Sequence, residues 1–534
     1  MTASTDHTSR PRLSVAMIVR DEQEVLAESI ESVRSIADEI VVLDTGSTDQ
    51  TLQIAEQLGA VTGRMPWTED FSAARNRCLE LVSGDWVLWL DAGERLVAET
   101  AADLREFVDR QAEESKVYML LVEVPSADPS GSAEQIAQVR LMPRRPELRF
   151  TGRVCESVRS SVEAAGLQVD ASEGRIVRHR RQHDPARRQQ RAHRNLKLVA
   201  LELVGRADPP APLLTARGEA FGELNNWEDA RSAYRAAVEA AEHGSTEMLE
   251  AYYGLLTSYD SDPRLGDRQL TDCIAAMEIF PFDAQLLLAM GNYLQARNEM
   301  ELATRTFETA VQYGQVDLEA WHLCELAEVA NVCLSLTLQL QGKDDRACEV
   351  LEEAARLHPN SHRILRRLLD LHVKHGRCEE ALELAGRLPA EPEQREPLQD
   401  AVRGACRVSH KQWTEALAYL QSAYVMGCRD PLCLRWLAVT LLSRGRLQAA
   451  EPVLLEWQKR EPTNPEVASY LAAVEQQRAG AAVRLPAAGQ PAADAPTRMR
   501  LRIDPVPSEP PIAPPQFPNL GQTTSGDLGH RVDK

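Results

Sequence analysis

Two apolar stretches of the chain each end in acidic residues set in a tight turn. The first reads VVLDTGSTDQT and places Asp44 at its end, and the second reads GDWVLWLDAGE and ends with Asp91 and Glu94. Strand ends of an open α/β sheet form the crevice where ligands bind. We therefore expect the N-terminal part of the chain to be catalytic.

The elements that must position these carboxylates follow a β-α-β order. LSVAMIV, residues 13–19, is a continuous apolar run that fits a strand buried on both faces. A helix with apolar residues at helical spacing and the short strand EIVVLD follow, which predicts parallel strands in an α/β domain. Asp44 has two interpretations: its carboxylate accepts hydrogen bonds from a base or a ribose hydroxyl, or it belongs to a well-capped turn in which Asp49 is one candidate cap of the next helix.

Four segments, VAMIVRDE, VVLDTGSTDQT, FSAARNRCLE and DWVLWLDAGERL, resemble the glycosyltransferase family 2 group with a GT-A fold, particularly its soluble members followed by tetratricopeptide repeats. The resemblance covers residues 12–205 and implies a nucleotide-sugar donor, with uracil or ribose at Asp44. The residues that we predict to bind the nucleotide sugar are Asp44, Asp49, Arg75, Asn76 and Asp91. Arg75 could serve a phosphate or simply pair with an acid.

The loop LDAGE is, by this resemblance, the counterpart of the DxD motif, whose usual form here is LDADE. Its second aspartate binds Mn2+ or Mg2+, and the metal holds the diphosphate leaving group. Gly93 occupies that position in this chain, so one metal ligand is missing. One or two carboxylates plus diphosphate oxygens can suffice for a hard cation, so Asp91 and Glu94 remain metal ligands; weakened activity and metal-free catalysis are the alternatives.

A histidine late in the domain completes the metal site in several GT-A enzymes, and imidazole suits Mn2+. By resemblance His179 takes that role and compensates for Gly93, with His183 as the second choice. The glycine and tyrosine that often follow this histidine are absent.

The segment VRLMPRRPELRFTGRVCESV predicts a strand, a loop and another strand. Related enzymes often carry GRVHE here, whereas this chain has Cys155 and Glu156. Inverting glycosyl transfer needs a carboxylate that takes the proton of the acceptor. Glu156 is the candidate base; the alternative is a strand-end glutamate paired with Arg153 or Arg149.

The stretch from Arg178 to Lys197 is the strongly basic run of the chain, with arginines at 178, 180, 181, 187, 188, 191 and 194. These guanidinium groups could cradle a diphosphate or an acidic acceptor, or they could form a solvated helix face. Nucleic-acid binding is disfavoured because aromatic residues are not interleaved with the arginines.

From residue 210 the pattern predicts helices only, with a repeat. Its small-residue positions are Ala230, Ala303, Ala347, Ala381, Ala416 and Ala450. The last four recur at the tetratricopeptide period of about 34 residues. We expect a helical solenoid over 210–477 whose groove binds a protein or peptide; docking on the catalytic domain or self-association is the alternative. Residues 478–534 are proline-rich and predicted to be disordered.

The formal charge of −20 over 534 residues argues against general attraction to nucleic acid or anionic lipid. No apolar run reaches the roughly 20 residues that a membrane span requires, which predicts a cytoplasmic protein. The combined prediction is an inverting glycosyltransferase that uses a nucleotide-diphosphate donor, with a UDP-sugar as the first choice. Its acceptor is unknown, and a protein or peptide is the candidate. The alternative is a non-catalytic tetratricopeptide scaffold with a degenerate nucleotide-sugar domain.

Overall fold

The structure is a computed structural model that describes residues 10–126, 132–179, 183–388, 392–462 and 464–478. Within these residues the N-terminal half is an α/β domain and the C-terminal half is helical. The strands are β1 Leu13–Val19, β2 Glu39–Asp44, β3 Val61–Arg64, β4 Trp86–Trp89, β5 Glu94–Leu96, β6 Lys116–Val124, β7 Glu134–Pro143, β8 Gln168–Arg178 and β9 His322–Leu323.

The helices of the α/β domain surround its sheet, and those of the C-terminal half stack in pairs. The first group is α1 Leu26–Val33, α2 Thr51–Gln57, α3 Phe71–Leu79, α4 Ala98–Arg110, α5 Arg159–Ala164 and α6 Pro185–Leu203. The second group is α7 Ala211–Glu223, α8 Trp227–Ala240, α9 Thr246–Tyr259, α10 Gly266–Ile279, α11 Ala284–Ala296, α12 Met300–Tyr313, α13 Leu326–Leu340, α14 Asp344–Leu357, α15 His362–Lys374, α16 Cys378–Arg387, α17 Pro392–Ser409, α18 Trp413–Val425, α19 Pro431–Ser443, α20 Leu447–Arg460 and α21 Pro465–Arg478.

The sheet is mixed, with the strand order β3-β2-β1-β4-β7-β6-β8-β5. Strands β1 to β4 pair in parallel, whereas β7 runs antiparallel to β4 and β6. Leu13, Val15 and Met17 of β1 pack into the core on one face, and Ala16 packs into the core on the other. The prediction of a first strand buried on both faces is therefore confirmed, as is the two-part fold.

The strand expected at RFTGRV is wrong. Residues 144–158 form a loop in which Thr151 and Ser157 make a single bridge. Gly152 and Cys155 have positive φ values of 99° and 54°, and this left-handed geometry cannot continue an extended strand. The loop turns back on itself instead and presents Glu156.

The six alanines of the predicted repeat are 0% exposed, which places them at the contacts between paired helices. Helices α9 and α10 fill the long interval between the first two of them. The segment before α13 adds β9 to the α/β sheet, where Gln135 of β7 pairs with His322. The solenoid therefore docks on the sheet, which was the alternative interpretation of its role.

Two other expectations concern the C-terminal tail and membrane-spanning segments. The predicted disorder of the tail falls on residues 479–534, which lie outside the described residues. Across the described part of the chain, no helix combines the length and the apolar character needed to cross a membrane.

We expect Gly291→Ala to destabilise the solenoid by about 1–3 kcal/mol, because the new Cβ would overlap the ring of Phe307 in the neighbouring helix. Gly386→Ala is the matched control: nothing lies near its Cβ position, and it should stabilise α16 by about 0.5–1 kcal/mol. Urea denaturation followed by circular dichroism measures both. Equal effects of the two substitutions would contradict the close helix packing at Gly291.

Candidate active site

A cavity of about 1080 Å³ opens at the carboxyl ends of β1 and β4. Its wall on the sheet side includes Asp91 and Glu94, and α6 contributes Arg194. The helical half of the chain closes the opposite wall with Glu219 of α7 and Glu319. Both parts of the chain therefore shape one ligand-sized space.

The turn that follows β4 sets the position of its carboxylates. Gly93 has a φ of 85°, and its N–H donates to the Ser29 hydroxyl at 3.0 Å. The N–H of His179 donates to the Gly93 carbonyl at 2.7 Å, which ties the end of β8 to the same turn. Ser29 and His179 thus hold the turn through the N–H and the carbonyl of Gly93.

Asp91 is surrounded by hydrogen-bond donors and positive charge. Its Oδ1 accepts from Trp89 Nε1 at 2.9 Å and lies 3.1 Å from Nη1 of Arg75, while Oδ2 lies 3.5 Å from Arg140. Burial alone would raise the pKa of Asp91, but Arg75, Arg140 and Arg178 lower it to about 2. Asp91 is therefore ionised across the physiological range.

Glu94 is a buried partner of two arginines. Its side chain is 2% exposed and accepts from Arg140 Nη2 at 2.9 Å and from Arg178 Nε at 3.0 Å. Arg178 is its direct cross-strand neighbour, since β5 pairs with β8 at this position. The second carboxylate oxygen accepts the N–H of Asp91 at 3.0 Å. Glu94 thus stabilises the turn and the charges around it.

Arg75 bridges the two acidic positions of the site. Its guanidinium contacts Glu156 through Nε at 2.7 Å and Nη2 at 2.6 Å, in addition to Asp91. It also stacks over Trp89 with 4.5 Å between the guanidinium carbon and the ring centroid. Burial alone would lower the pKa of Arg75, but the charges of Asp91 and Glu156 raise it. Arg75 therefore pairs with acids, as its second interpretation stated.

The start of α3 is tied to the loop that carries Glu156, which brings Arg75 and Glu156 together. Ser72 Oγ donates to the Gly152 carbonyl at 2.6 Å, and the N–H of Phe71 donates to the Arg153 carbonyl at 3.0 Å. Neither Arg153 nor Arg149 takes the carboxylate of Glu156: they contact Glu202 and Glu80. The alternative interpretation of Glu156, a glutamate paired with Arg153 or Arg149, is therefore wrong.

Three predicted nucleotide-binding residues lie outside the cavity lining of the described chain. Asp44 is 5% exposed and accepts from the N–H and hydroxyl of Ser47, as in its capped-turn interpretation. Asp49 accepts the N–H of Thr51 at 2.9 Å, and the amide of Asn76 holds both backbone groups of Phe150. Their contacts with a nucleotide remain predictions.

The predicted metal ligands do not fit a divalent cation as they are arranged. Across the described residues, no three His, Cys, Asp or Glu side chains form a group that could hold a metal ion. The carboxylates of Asp91 and Glu94 face guanidinium groups instead of an open position. His179 lines the cavity, whereas His183 Nε2 lies 2.7 Å from the Pro125 carbonyl oxygen.

The basic run turns one face to the cavity. Arg187, Arg191 and Arg194 of α6 line it, and Arg180 and Arg181 lie outside the described residues. Arg187 pairs with Glu24 at 3.1 Å, and Arg191 with Glu223 at 3.5 Å. The run is therefore part of the site and not only a solvated helix face.

Arg140 is a residue of the candidate site that no sequence motif indicated. It is 4% exposed and joins Asp91 to Glu94 from the neighbouring strand β7. A signal was available: an arginine inside the apolar stretch of a strand is almost never buried unless it is paired.

A family model described as glycosyl transferase family 2 matches residues 14–113. The chain carries a family 2 glycosyltransferase domain. Two models described as tetratricopeptide repeat match residues 334–361 and 407–465. The predicted family 2 glycosyltransferase domain and the predicted tetratricopeptide repeats are thereby confirmed. Membership of the family suggests dependence on a divalent metal without specifying the ion.

Curated relatives match parts of the chain. A TPR repeat-containing protein from Synechococcus elongatus is 40% identical over 157 residues, which cover 29% of this chain and 38% of the relative. An uncharacterized glycosyltransferase from Rickettsia felis is 39% identical over 88 residues, which cover 16% of this chain and 31% of the relative. The chain thus spans less than two-fifths of the length of either relative.

Among solved structures, glucosyl-3-phosphoglycerate synthase from Mycobacterium tuberculosis in complex with Mn2+ and uridine-diphosphate-glucose is 25% identical. That match covers 21% of this chain and 43% of the other, with a TM-score of 0.18.

A protonated glutamate lies where the solenoid meets the sheet. Glu250 of α9 accepts the N–H of Trp321 at 3.4 Å. Burial raises the pKa of Glu250 to about 8, and the charges of Glu219, Glu247 and Asp317 add to the effect. An unfolded glutamate titrates near its ordinary pKa of 4.5. The folded protein therefore retains this proton longer than the unfolded chain, and this site loses stability as the pH rises between these two values.

We expect Glu250→Gln to raise the apparent melting temperature by a few degrees at pH 8 and to change it little at pH 5. The amide keeps the shape of the protonated acid and carries no charge at either pH. Differential scanning fluorimetry at both pH values measures the effect, with the exposed Glu239→Gln on α8 as the control. An equal shift at both pH values would contradict the raised pKa of Glu250.

Proposed function

We propose that the family 2 domain transfers a sugar, with inversion, from a nucleotide-diphosphate donor to an acceptor that enters the cavity. The observation that carries the proposal is the Asp91–Arg75–Glu156 chain of ion pairs at the carboxyl ends of β1 and β4. In this proposal Asp91 serves the donor side of the cavity, and Glu156 serves the side that faces the helical wall. A UDP-linked donor is our choice within this class.

Glu156 is the group that we assign to the acceptor. Its Oε1 is held by Arg75, while the loop from Thr151 to Ser157 fixes its backbone. A carboxylate held in this way can take the proton of an acceptor hydroxyl as that oxygen attacks the anomeric carbon. Attack from the side opposite the diphosphate inverts the configuration at the anomeric carbon. Asp91 and Arg75 would orient the donor from the sheet side.

The acceptor wall is built partly by the helical half, through Ala216, Glu219 and Glu319. Glu319 also pairs with Arg159 of the α/β domain. A macromolecular acceptor bound in the solenoid groove could therefore reach the cavity without crossing a gap between separate domains. This arrangement supports a protein or peptide acceptor.

A non-catalytic scaffold is the competing proposal. It is favoured by one observation: the acidic side chains expected to bind a metal are already neutralised by arginines. A donor screen separates the two. Turnover of any nucleotide sugar, detected as released nucleoside diphosphate by mass spectrometry, favours the enzyme, and no turnover across the common donors favours the scaffold.

We expect Glu156→Gln to lower kcat about 10²- to 10⁴-fold, because the amide cannot accept the proton of the acceptor. Donor affinity should change less than kcat, since Arg75 keeps its ion pair with Asp91 on the side assigned to the donor. Steady-state turnover and calorimetric donor binding measure the two effects, and the exposed Glu163→Gln on α5 is the control. Full turnover in Glu156→Gln would remove Glu156 from the mechanism while leaving the donor assignment intact.

A further inference from the structure

We infer that guanidinium groups, and not a divalent cation, neutralise the diphosphate of the donor in this chain. The inference rests on the proposed function. It goes beyond that function because the resemblance to family 2 leads one to expect a divalent metal at the diphosphate. It follows from three features of the cavity: the contacts of its carboxylates, the glycine in the acidic turn, and the arginines along its wall.

The carboxylates that would hold a cation have other partners. Both oxygens of Glu94 are occupied at distances of 2.9 to 3.0 Å by Arg140, Arg178 and the Asp91 backbone. Asp91 has Arg75 and Trp89 on one oxygen and Arg140 near the other. A cation would have to displace these guanidinium groups and would then be repelled by them. Breaking these buried ion pairs would leave charges without a partner, which is strongly destabilising.

Position 93 is glycine, so the turn lacks the aspartate carboxylate that would favour a cation over the arginines. An aspartate there would add a carboxylate one residue before Glu94, in a turn whose backbone is held by Ser29 and His179. With glycine, the turn supplies no such oxygen. Of the two carboxylates in this turn, Asp91 is the one that remains partly open, with 32% of its side chain exposed, against 2% for Glu94.

The wall of the cavity is rich in arginine. Eight arginines and seven carboxylates line it, in a protein whose formal charge is −20. The guanidinium group presents a planar set of donors that matches phosphate oxygens bidentately and never loses its charge. The positive charge that a diphosphate requires is therefore concentrated in this cavity.

Arg194 is the cavity arginine whose charge is least balanced. Its guanidinium lies over the Phe71 ring at 4.9 Å and donates to Oδ1 of Asn195. Within the described residues it forms no ion pair with a carboxylate. The side chain of Arg194 stays exposed at the cavity, and partial desolvation by the surrounding protein together with the charge of Arg191 lowers its pKa. A bound phosphate group would balance the positive charges of Arg194 and Arg191.

The transfer step balances without a metal. The acceptor oxygen forms its bond to the anomeric carbon while the bond from that carbon to the diphosphate oxygen breaks. The electron pair stays on the departing diphosphate, whose charge the guanidinium groups meet, and the proton of the acceptor goes to Glu156. No oxidant, reductant or further reactant is needed.

Calorimetric binding of UDP and GDP to the full chain tests the inference, first in EDTA and then with added Mn2+ or Mg2+. We expect the nucleotide that binds to have the same Kd in both buffers and to bind more tightly than its nucleoside. Binding that appears only with the cation would overturn the inference and leave the proposed function standing. Binding of neither nucleotide in either buffer would count against both.

Substitutions sharpen the test. Arg194→Gln should lower nucleotide affinity about tenfold or more, the size of one charge-assisted hydrogen bond, in EDTA and in Mn2+ alike. The exposed Arg95→Gln, whose partner is Glu28, should leave affinity unchanged. Unchanged affinity in Arg194→Gln would show that Arg194 does not contact the diphosphate.

Gly93→Asp restores the LDADE pattern and should make nucleotide binding respond to Mn2+, whereas Gly93→Asn should not. The two side chains have the same shape and both tolerate the left-handed backbone at this position, so their difference isolates the carboxylate. A wild type that already responds to Mn2+ as strongly as Gly93→Asp would overturn the inference.

Discussion

The contact on which the site depends is the double ion pair of Arg75 with Asp91 and Glu156. Arg75 is 12% exposed in its side chain, so its charge is stable there only because two carboxylates flank it. The same guanidinium stacks on Trp89, which fixes its plane. One buried cation thereby sets the separation between Asp91 and Glu156, the carboxylates that we assign to the donor and to the acceptor.

A second network supports the first from behind. Glu94 and Arg140 are both nearly inaccessible, and each satisfies the charge of the other at the edge where β4 meets β7. Arg178 extends this network across β8 to Trp321 of the helical half. Because these charges lie in a low-dielectric interior, loss of one partner would leave an uncompensated charge and cost several kcal/mol. The turn that carries Asp91 is rigid for this reason.

The sequence predicts those features that depend on local pattern. The apolar run 13–19 gives the first strand, and the recurring alanines give the helical hairpins, because burial follows periodicity in both cases. Asp91 and Glu156 were found from their motifs, although the partners of their carboxylates were not. The strand expected near Gly152 failed because two left-handed residues override strand propensity.

Long-range contacts could not be read in this way. Arg140 meets Glu94 only because β7 pairs antiparallel to β4, a register that no local pattern encodes. The two-residue strand His322–Leu323 is too short to show alternation, and tertiary pairing alone defines it. The roles of Asp44 and Asn76 likewise depend on which backbone groups their side chains reach.

The pairing of β9 with β7 has a mechanical consequence. Strand β7 also carries Arg140, so hydrogen bonds link the solenoid to the strand that holds the acidic turn in place. Rotation of the solenoid against the sheet would break this ladder together with the bond between Ala137 and Leu318. The distance between the helices and the cavity is therefore fixed when the chain folds, and under the proposed function an acceptor held by the helices has to span that distance to reach Glu156.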